Sequence, residues 1–90
     1  MEFEWDEQKA ESNLAKHKVS FTEAKTVFTD PLYLDFYDPD HSDDEDRHII
    51  VGESEQQRLL IVSYTERGQK VRLISAREAT RKEKEAYEEG

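Results

Sequence analysis

Apolar residues fall along this chain in two rhythms, and the changes of rhythm mark out its elements. Phe3 and Trp5 alternate with Glu2 and Glu4, a period of two that predicts a short first strand. Asp6 is a good helix N-cap. From about residue 7 to 17 the period lengthens, and Ala10, Leu14 and His17, at i, i+4 and i+7, are expected to form the buried stripe of a first helix. Lys18-Val19 makes a tight link. Ser20-x-x-Glu23 is a capping box that opens a second helix, with Phe21, Ala24, Val27 and Phe28 on one face. Asp30-Pro31 ends it, because the residue before a proline avoids helical backbone angles. Alternation then returns: Leu32, Leu34 and Phe36 against Tyr33, Asp35 and Tyr37 predict a half-buried strand.

The run from Asp38 to Asp46 is an acidic loop. Arg47–Glu53 carries apolar residues on both faces, which places it inside a sheet. Residues 54–57 form a turn. Arg58–Glu66 and Lys70–Ala76 are two further strands joined at Arg67-Gly68-Gln69, where Gly68 supplies the positive φ of a tight hairpin. Thr80-x-x-Glu83 is a second capping box and starts a terminal helix that runs to about Glu89; Ser75-x-x-Glu78 competes for the same start. The order β-α-α-β-β-β-β-α, with its consecutive hairpins, predicts an α+β fold. Its antiparallel sheet carries two N-terminal helices packed on one face and a C-terminal helix at its end. Residues 1–90 make a single small domain, and a chain of this size buries only about 60–65% of its unfolded surface.

Charge changes this picture. Charged residues are 39% of the chain and the net charge is −9, which argues against binding nucleic acid by bulk attraction. The two halves differ, however. Residues 1–46 hold fourteen Asp and Glu against four Lys, a net −10, whereas residues 47–82 hold eight basic against four acidic groups, a net +4. Arg58, Arg67, Lys70, Arg72, Arg77, Arg81 and Lys82 all fall on the last hairpin and the helix after it. A polyanion is expected to dock there, and the acidic half offers a face to a basic protein. There is no cysteine, so disulfides and thiolate metal sites are excluded, in keeping with a reducing compartment. No apolar run approaches the roughly 18 residues that span a bilayer. The acidic N-terminus lacks the basic start of a signal peptide, so the expected location is the cytoplasm.

A guanidinium fork fits a phosphate and stays charged at any working pH. On the last strand, Lys70, Arg72 and Ile74 are expected to point away from the helices, with Val71, Leu73 and Ser75 toward them. Arg67 sits in the turn and Arg77 leaves the strand end. These arginines are expected to converge on one exposed edge and to stabilise the added charge of a phosphoryl transition state. Surface pairing with the many carboxylates is the competing reading for each of them. His17 ends the first helix, where positive charge is favoured, and is a candidate for proton transfer or a half-buried cap. His48 is a weaker candidate, and His41 is expected to be solvated. Asp38-x-Asp40-x-Ser42 imitates the first ligands of an EF-hand. Asp43 stands where the sixth-position glycine is needed and no helix leads in, so no metal site is assigned. The phenylalanines and Trp5 read as core. Tyr64 reads as sheet packing, with base stacking as its alternative.

Several motifs, in order, carry a family resemblance. Phe3-Glu4-Trp5-Asp6-x-x-Lys9-x-x-x-Asn13-x-x-Lys16-His17-x-Val19-x-Phe21-x-x-Ala24 resembles the opening of BrnT-family proteins. So do Asp40-His41-Ser42-x-x-Glu45-x-Arg47, Thr65-Glu66-Arg67-Gly68-x-x-x-Arg72-x-Ile74-Ser75-Ala76-Arg77, and Ala79-Thr80-x-x-Glu83-x-x-x-Tyr87-Glu88. The resemblance implies a RelE-like fold and a ribonuclease toxin of a type II toxin–antitoxin pair. It further implies metal-independent endonucleolytic RNA cleavage with no cofactor, and neutralisation by a BrnA-type antitoxin through which alone the toxin would meet DNA. Arg67, Arg72, Arg77 and His17 stand inside matching motifs and take the catalytic roles; Lys9 and Lys16 are weaker. Such toxins are commonly basic, and this chain, with a pI near 4.7, departs from that pattern. The alternative is a non-catalytic binding module whose acidic face docks a basic partner. An autorepressing DNA-binding subunit is disfavoured by the absence of a helix-turn-helix pattern.

Overall fold

The computed structural model describes residues 1–41 and 44–89. Ser42 and Asp43, which close the EF-hand-like run of the acidic loop, lie outside the described residues. The elements are β1 (Glu2–Glu4), α1 (Glu7–His17), α2 (Phe21–Ala24) with its 3-10 continuation Lys25–Thr29, and β2 (Leu34–Asp38). After a 3-10 turn at Pro39–His41 come β3 (Arg47–Glu53), β4 (Leu59–Arg67), β5 (Lys70–Glu78) and α3 (Arg81–Glu89). The fold is α+β, with a five-stranded sheet in the order β1-β5-β4-β3-β2. β2 to β5 pair antiparallel, as their hairpins require. β1 adds to β5 in parallel, which makes the sheet mixed.

Local signals act where they are read. Asp6 caps α1 by accepting from the amides of Gln8 and Lys9, and Lys18 closes the helix in the left-handed region at φ 60°. The Ser20 hydroxyl accepts from the Glu23 amide at 3.0 Å. The second capping box is complete: Thr80 Oγ1 accepts from the Glu83 amide, and the Thr80 amide donates back to Glu83 Oε1 at 2.9 Å. Gly68 turns the β4–β5 hairpin at φ 62°. Gly52 serves close approach: a Cβ there would meet Val27 Cγ1 at 2.9 Å and Asp30 Oδ2 at 3.0 Å, in the layer beneath.

One face of the sheet is covered. Val19, Phe21, Ala24 and Val27 pack against Ile50, Leu60, Val62, Tyr64, Val71, Leu73 and Ala76, with Phe3, Trp5, Ala10 and Phe28 closing the edges. Each fully buried large side chain contributes about 1.5–3 kcal/mol. An edge-on aromatic relay, Phe3–Phe28–Tyr64, crosses this layer, and His48 stacks on Tyr64 at 5.3 Å. His48 is therefore part of the packing.

Three expectations are corrected. The buried stripe of α1 uses Asn13 rather than Leu14, which is 49% exposed. The Asn13 amide bonds the backbone of β5: its Nδ2 donates to the carbonyls of Ala76 (2.7 Å) and Val19 (3.0 Å), and its Oδ1 accepts from the Ala76 amide. A helix leucine gives way here because β1 pairs only as far as Arg72, and the next stretch of β5 edge needs a polar partner. The second correction concerns β2. Leu34 and Phe36 face the open side of the sheet and stay exposed, so the strand is not half-buried. The third is a bulge between Ser63 and Tyr64: Tyr64 opposes Leu73 but Ser63 opposes Ser75, leaving Ile74 unpaired. Strict alternation would send Arg72 and Arg77, five residues apart, to opposite faces. The bulge returns Arg77 to the open face, directs Ala76 into the core and brings Ser75 out.

Candidate functional site

The open face is organised in cross-strand rows. Asp38, Arg47, Thr65, Arg72 and Glu4 stand opposite one another across all five strands. Arg72 pairs with Glu4 at 3.3 Å. Thr65, only 1% exposed beneath the row, donates its hydroxyl to the Asp46 carbonyl. Toward the other end come Phe36, Ile49, Ser63 and Ser75, then Leu34, Val51, Ile61 and Arg77.

A cavity opens on this face between the rows. It is lined by His17, Asp38, His41, Arg47, Ile49, Ile61, Ser63, Ile74, Ser75, Ala76 and Arg77. Two arginines, two histidines and two serine hydroxyls thus meet over an aliphatic floor. His17 reaches it because α1 runs beside β5, tied there by Asn13 to the residue between Ser75 and Arg77. His41 Nδ1 lies 2.9 Å from Asp38 Oδ2, a carboxylate contact that fixes the orientation of the ring.

The four sequence-predicted residues are not all brought together. His17 and Arg77, sixty positions apart in the chain, line the same cavity. Arg67 lies at the hairpin end and is held by Glu45 through Nε and Nη2, both at 3.2 Å. Arg72 sits in the charged row with Glu4. The expected convergence of guanidinium groups on a single edge is therefore not observed: the hairpin arginines are spread over its length and each takes a carboxylate of its own. Arg58, at the far end, bonds Glu23 through Nε (3.0 Å) and Nη2, and its Nη2 also reaches the Lys18 carbonyl. Its role is to fasten α2 to β4. Lys9 and Lys16 lie exposed on α1.

Arg77 is gripped by Glu83, with Nη1–Oε1 at 2.7 Å and Nη2–Oε2 at 2.8 Å. This fork, together with the Thr80 amide, pulls the Glu83 carboxyl down to about 2. Arg67, then Arg47 and Arg72 by their charge, likewise lower Glu45, so the three guanidinium groups share one electrostatic neighbourhood. Arg58 lowers Glu23 despite burial, with help from the Ser54 hydroxyl.

Sequence reasoning passed over Arg47 and the two serines; it read His41 as solvated, and the side chain is indeed 65% exposed where it lines the cavity. Arg47 and His41 stand within one of the family-like motifs, and Asp38-x-x-His41 has the spacing of a single 3-10 turn. Ser75 also stands within such a motif, but the bulge that exposes it has no signature in composition, and Ser63 carries no signal of either kind.

The arrangement defines a small α+β protein with a cationic, histidine-bearing cavity on an open sheet face. The sequence profile described as "Ribonuclease toxin, BrnT, of type II toxin-antitoxin system" matches residues 5–83, and the chain belongs to this family. Its structure is similar to the crystal structure of the Brucella abortus ribonuclease toxin BrnT. That likeness covers 90% of this chain and 99% of the other at 25% identity, with a TM-score of 0.66. A comparison with curated protein sequences returned no match. Membership of a type II toxin–antitoxin family implies an antitoxin partner. Among the described residues, no helix is long and apolar enough to cross a membrane.

Proposed function

We propose that the cavity cleaves RNA internally without a metal ion, in the cytoplasm, and that a BrnA-type antitoxin neutralises it. The observation that carries this reading is the meeting of His17, His41, Arg47 and Arg77 on one cavity of a chain in a ribonuclease toxin family. In the reaction, the ribose 2′-oxygen attacks the adjoining phosphorus and the bond to the 5′-oxygen breaks. The 2′ proton passes to a base, and the leaving oxygen takes a proton from an acid. Two imidazoles can divide these tasks. His17 is the proton-transfer group of the proposal, and His41, steadied by Asp38, is its complement. Arg77 holds the scissile phosphate and Arg47 neutralises charge from the opposite wall. Arg72, one row away, and Arg67, at the hairpin tip, line the approach of the flanking nucleotides. Phosphate has to compete with Glu83 for Arg77, since both take the same fork.

The test is cleavage of a defined RNA by purified protein in the presence of EDTA, with growth arrest as the cellular readout. Arg77→Glu and His17→Ala are expected to abolish both while thermal melting shows the fold intact. A 2′-deoxy substitution at the cut site is expected to block the reaction, and the product to end in a 2′,3′-cyclic phosphate. Full cleavage by both variants rejects the assignment.

A further inference from the structure

β2 is the last strand of the sheet, and among the described residues no strand pairs with its outer edge. It is also the most apolar exposed part of the molecule: Leu32, Tyr33, Leu34, Phe36 and Tyr37 are between 38% and 73% exposed. On the open face, Leu34 and Phe36 continue into a groove floored by Ile49, Val51 and Ile61 and walled by α3. Bare apolar edges template pairing with other chains, and proteins commonly guard them with lysine, proline or a bulge. None of these occurs within Leu34–Asp38. What surrounds the strand is negative charge. Between Lys25 and Arg47 the chain carries eight carboxylates and no Lys or Arg, and Glu83 and Glu88 stand on the α3 side.

We infer that β2 is the docking edge for the antitoxin, which adds an extended segment alternating apolar with Lys or Arg side chains as a sixth strand. Backbone pairing along β2 supplies the bonding, and the alternation supplies the specificity. The apolar side chains of the segment lie over Leu34 and Phe36 on the open face, while its basic side chains, on the opposite face, meet Asp35. The same charge disfavours a second copy of this chain, because two such edges would bring like charges together. Ile49, Ile61 and Arg77 line both the groove and the cavity of His17. A segment seated on β2 therefore abuts the proposed cleavage site, which accounts for neutralisation by occlusion. The inference rests on the toxin–antitoxin part of the proposed function and not on the assignment of catalytic residues.

The experiment uses the purified toxin and, as probe, the purified protein encoded by the reading frame adjacent to its gene. Hydrogen exchange on the unmodified complex is expected to show the amides of Leu34–Asp38 protected relative to free toxin. Phe36→Lys, which places positive charge against a basic segment, is expected to weaken binding by about 100-fold. Phe36→Glu, which loses only the apolar contact, is expected to cost about tenfold. RNA cleavage by free toxin is expected to be the same for Phe36→Lys as for the wild type, so an inactive toxin would count against the ribonuclease reading and leave the binding result standing. The inference is overturned by unprotected β2 amides, by unchanged affinity of Phe36→Lys, or by equal losses for Phe36→Glu and Phe36→Lys. It is overturned too if Phe36→Lys slows cleavage by the free toxin, or if the strand proves to pair with a second copy.

Discussion

Arg58 and Arg77 are each gripped by one glutamate through a two-pronged contact, with Glu78 a looser second neighbour of Arg58 at 3.6 Å, yet the two ends of the sheet put these pairs to different uses. At the Arg58 end the partner, Glu23, is buried with a side chain only 2% exposed, and it also accepts from the Ser54 hydroxyl. Arg58 joins β4 to α2 and, through the Lys18 carbonyl, to the close of α1. At the Arg77 end both partners are more than a third exposed, and Arg77 lines a cavity with two histidines while Glu83 lines the neighbouring groove. The same two chemical groups thus give a fastener in one place and, in the proposed function, an exchangeable phosphate holder in the other. Burial decides: a pair that has lost its water cannot trade partners cheaply, whereas one still bathed in water can.

The largest expected effect breaks this comparison at its fastened end. Glu23→Ala leaves the Arg58 guanidinium partly desolvated with only the looser Glu78 contact at 3.6 Å, and breaking a buried pair in this way costs about 3–5 kcal/mol. Chemical denaturation is expected to show that loss, whereas Glu83→Ala, at the solvated pair, is expected to cost about 1 kcal/mol. Equal losses would dissolve the distinction. Next in size is the cavity end. Arg77→Ala is expected to lower the rate of RNA cleavage about 100-fold or more, since a positioned charge in a phosphoryl-transfer site contributes about 3 kcal/mol to the barrier. Arg58→Lys, assayed at a temperature where it is folded, is expected to cleave within about threefold of wild type. A comparable loss in both variants would place Arg58 at the chemistry and contradict its assignment as a fastener.

How these roles arise also explains which of them the sequence discloses. The limits of α1, its Asp6 cap, the Gly68 hairpin and the Thr80–Glu83 capping box depend on neighbours within a few positions, and each is legible from the residues alone. The two arginine pairs differ in just this respect. Glu83 lies six positions from Arg77, whereas Glu23 lies thirty-five from Arg58, and Glu4 sixty-eight from Arg72. Nothing local couples such distant partners, so the charge segregation of the last hairpin reads in the sequence as a cluster. In three dimensions it is a set of separate pairs. The bulge at Ser63/Tyr64 is illegible for a related reason. It inserts no unusual residue and shifts the phase of an ordinary apolar–polar alternation, and that phase alone decides whether Arg77 meets the core or the cavity.

Asn13 links the two regions, because it ties the helix that ends in His17 to the backbone of Ala76, next to Arg77. Its removal sharpens the comparison. Asn13→Ala leaves the Ala76 amide and carbonyl buried without partners, at a cost of about 2 kcal/mol. It also frees the end of α1 from β5. Cleavage is expected to fall about tenfold at temperatures where the variant remains fully folded, because a small misplacement of a proton-transfer group is enough to slow a reaction. The distinguishing measurement is the comparison with Val19→Ala, a substitution of similar expected stability cost in the same neighbourhood that leaves the Asn13 bonds in place. If both slow cleavage equally, Asn13 acts through stability alone.

The smallest expected effect concerns pH and follows from the sign of a single shift. Glu83 is pulled from the usual 4.5 to about 2 in the folded protein, chiefly by the Arg77 fork and then by the Thr80 amide. A carboxyl lowered by folding stabilises the native state above its unfolded value and loses that contribution as pH falls toward its folded value. The loss therefore falls between about pH 4.5 and about pH 2. Because the pair is solvated, the contribution is about 1 kcal/mol, well below what the shift alone would imply. Denaturation of wild type and Glu83→Gln across this window is expected to show the two stability curves converging as the pH drops, since the variant has no proton to take up at this position. The carboxyls of Glu23, Asp30 and Glu45 are also lowered, and Glu83→Gln retains them, so the acid loss common to both proteins belongs to these groups and only the difference between the curves to Glu83. Parallel curves would mean that Glu83 is not held by Arg77 in solution, and that phosphate meets no competitor there.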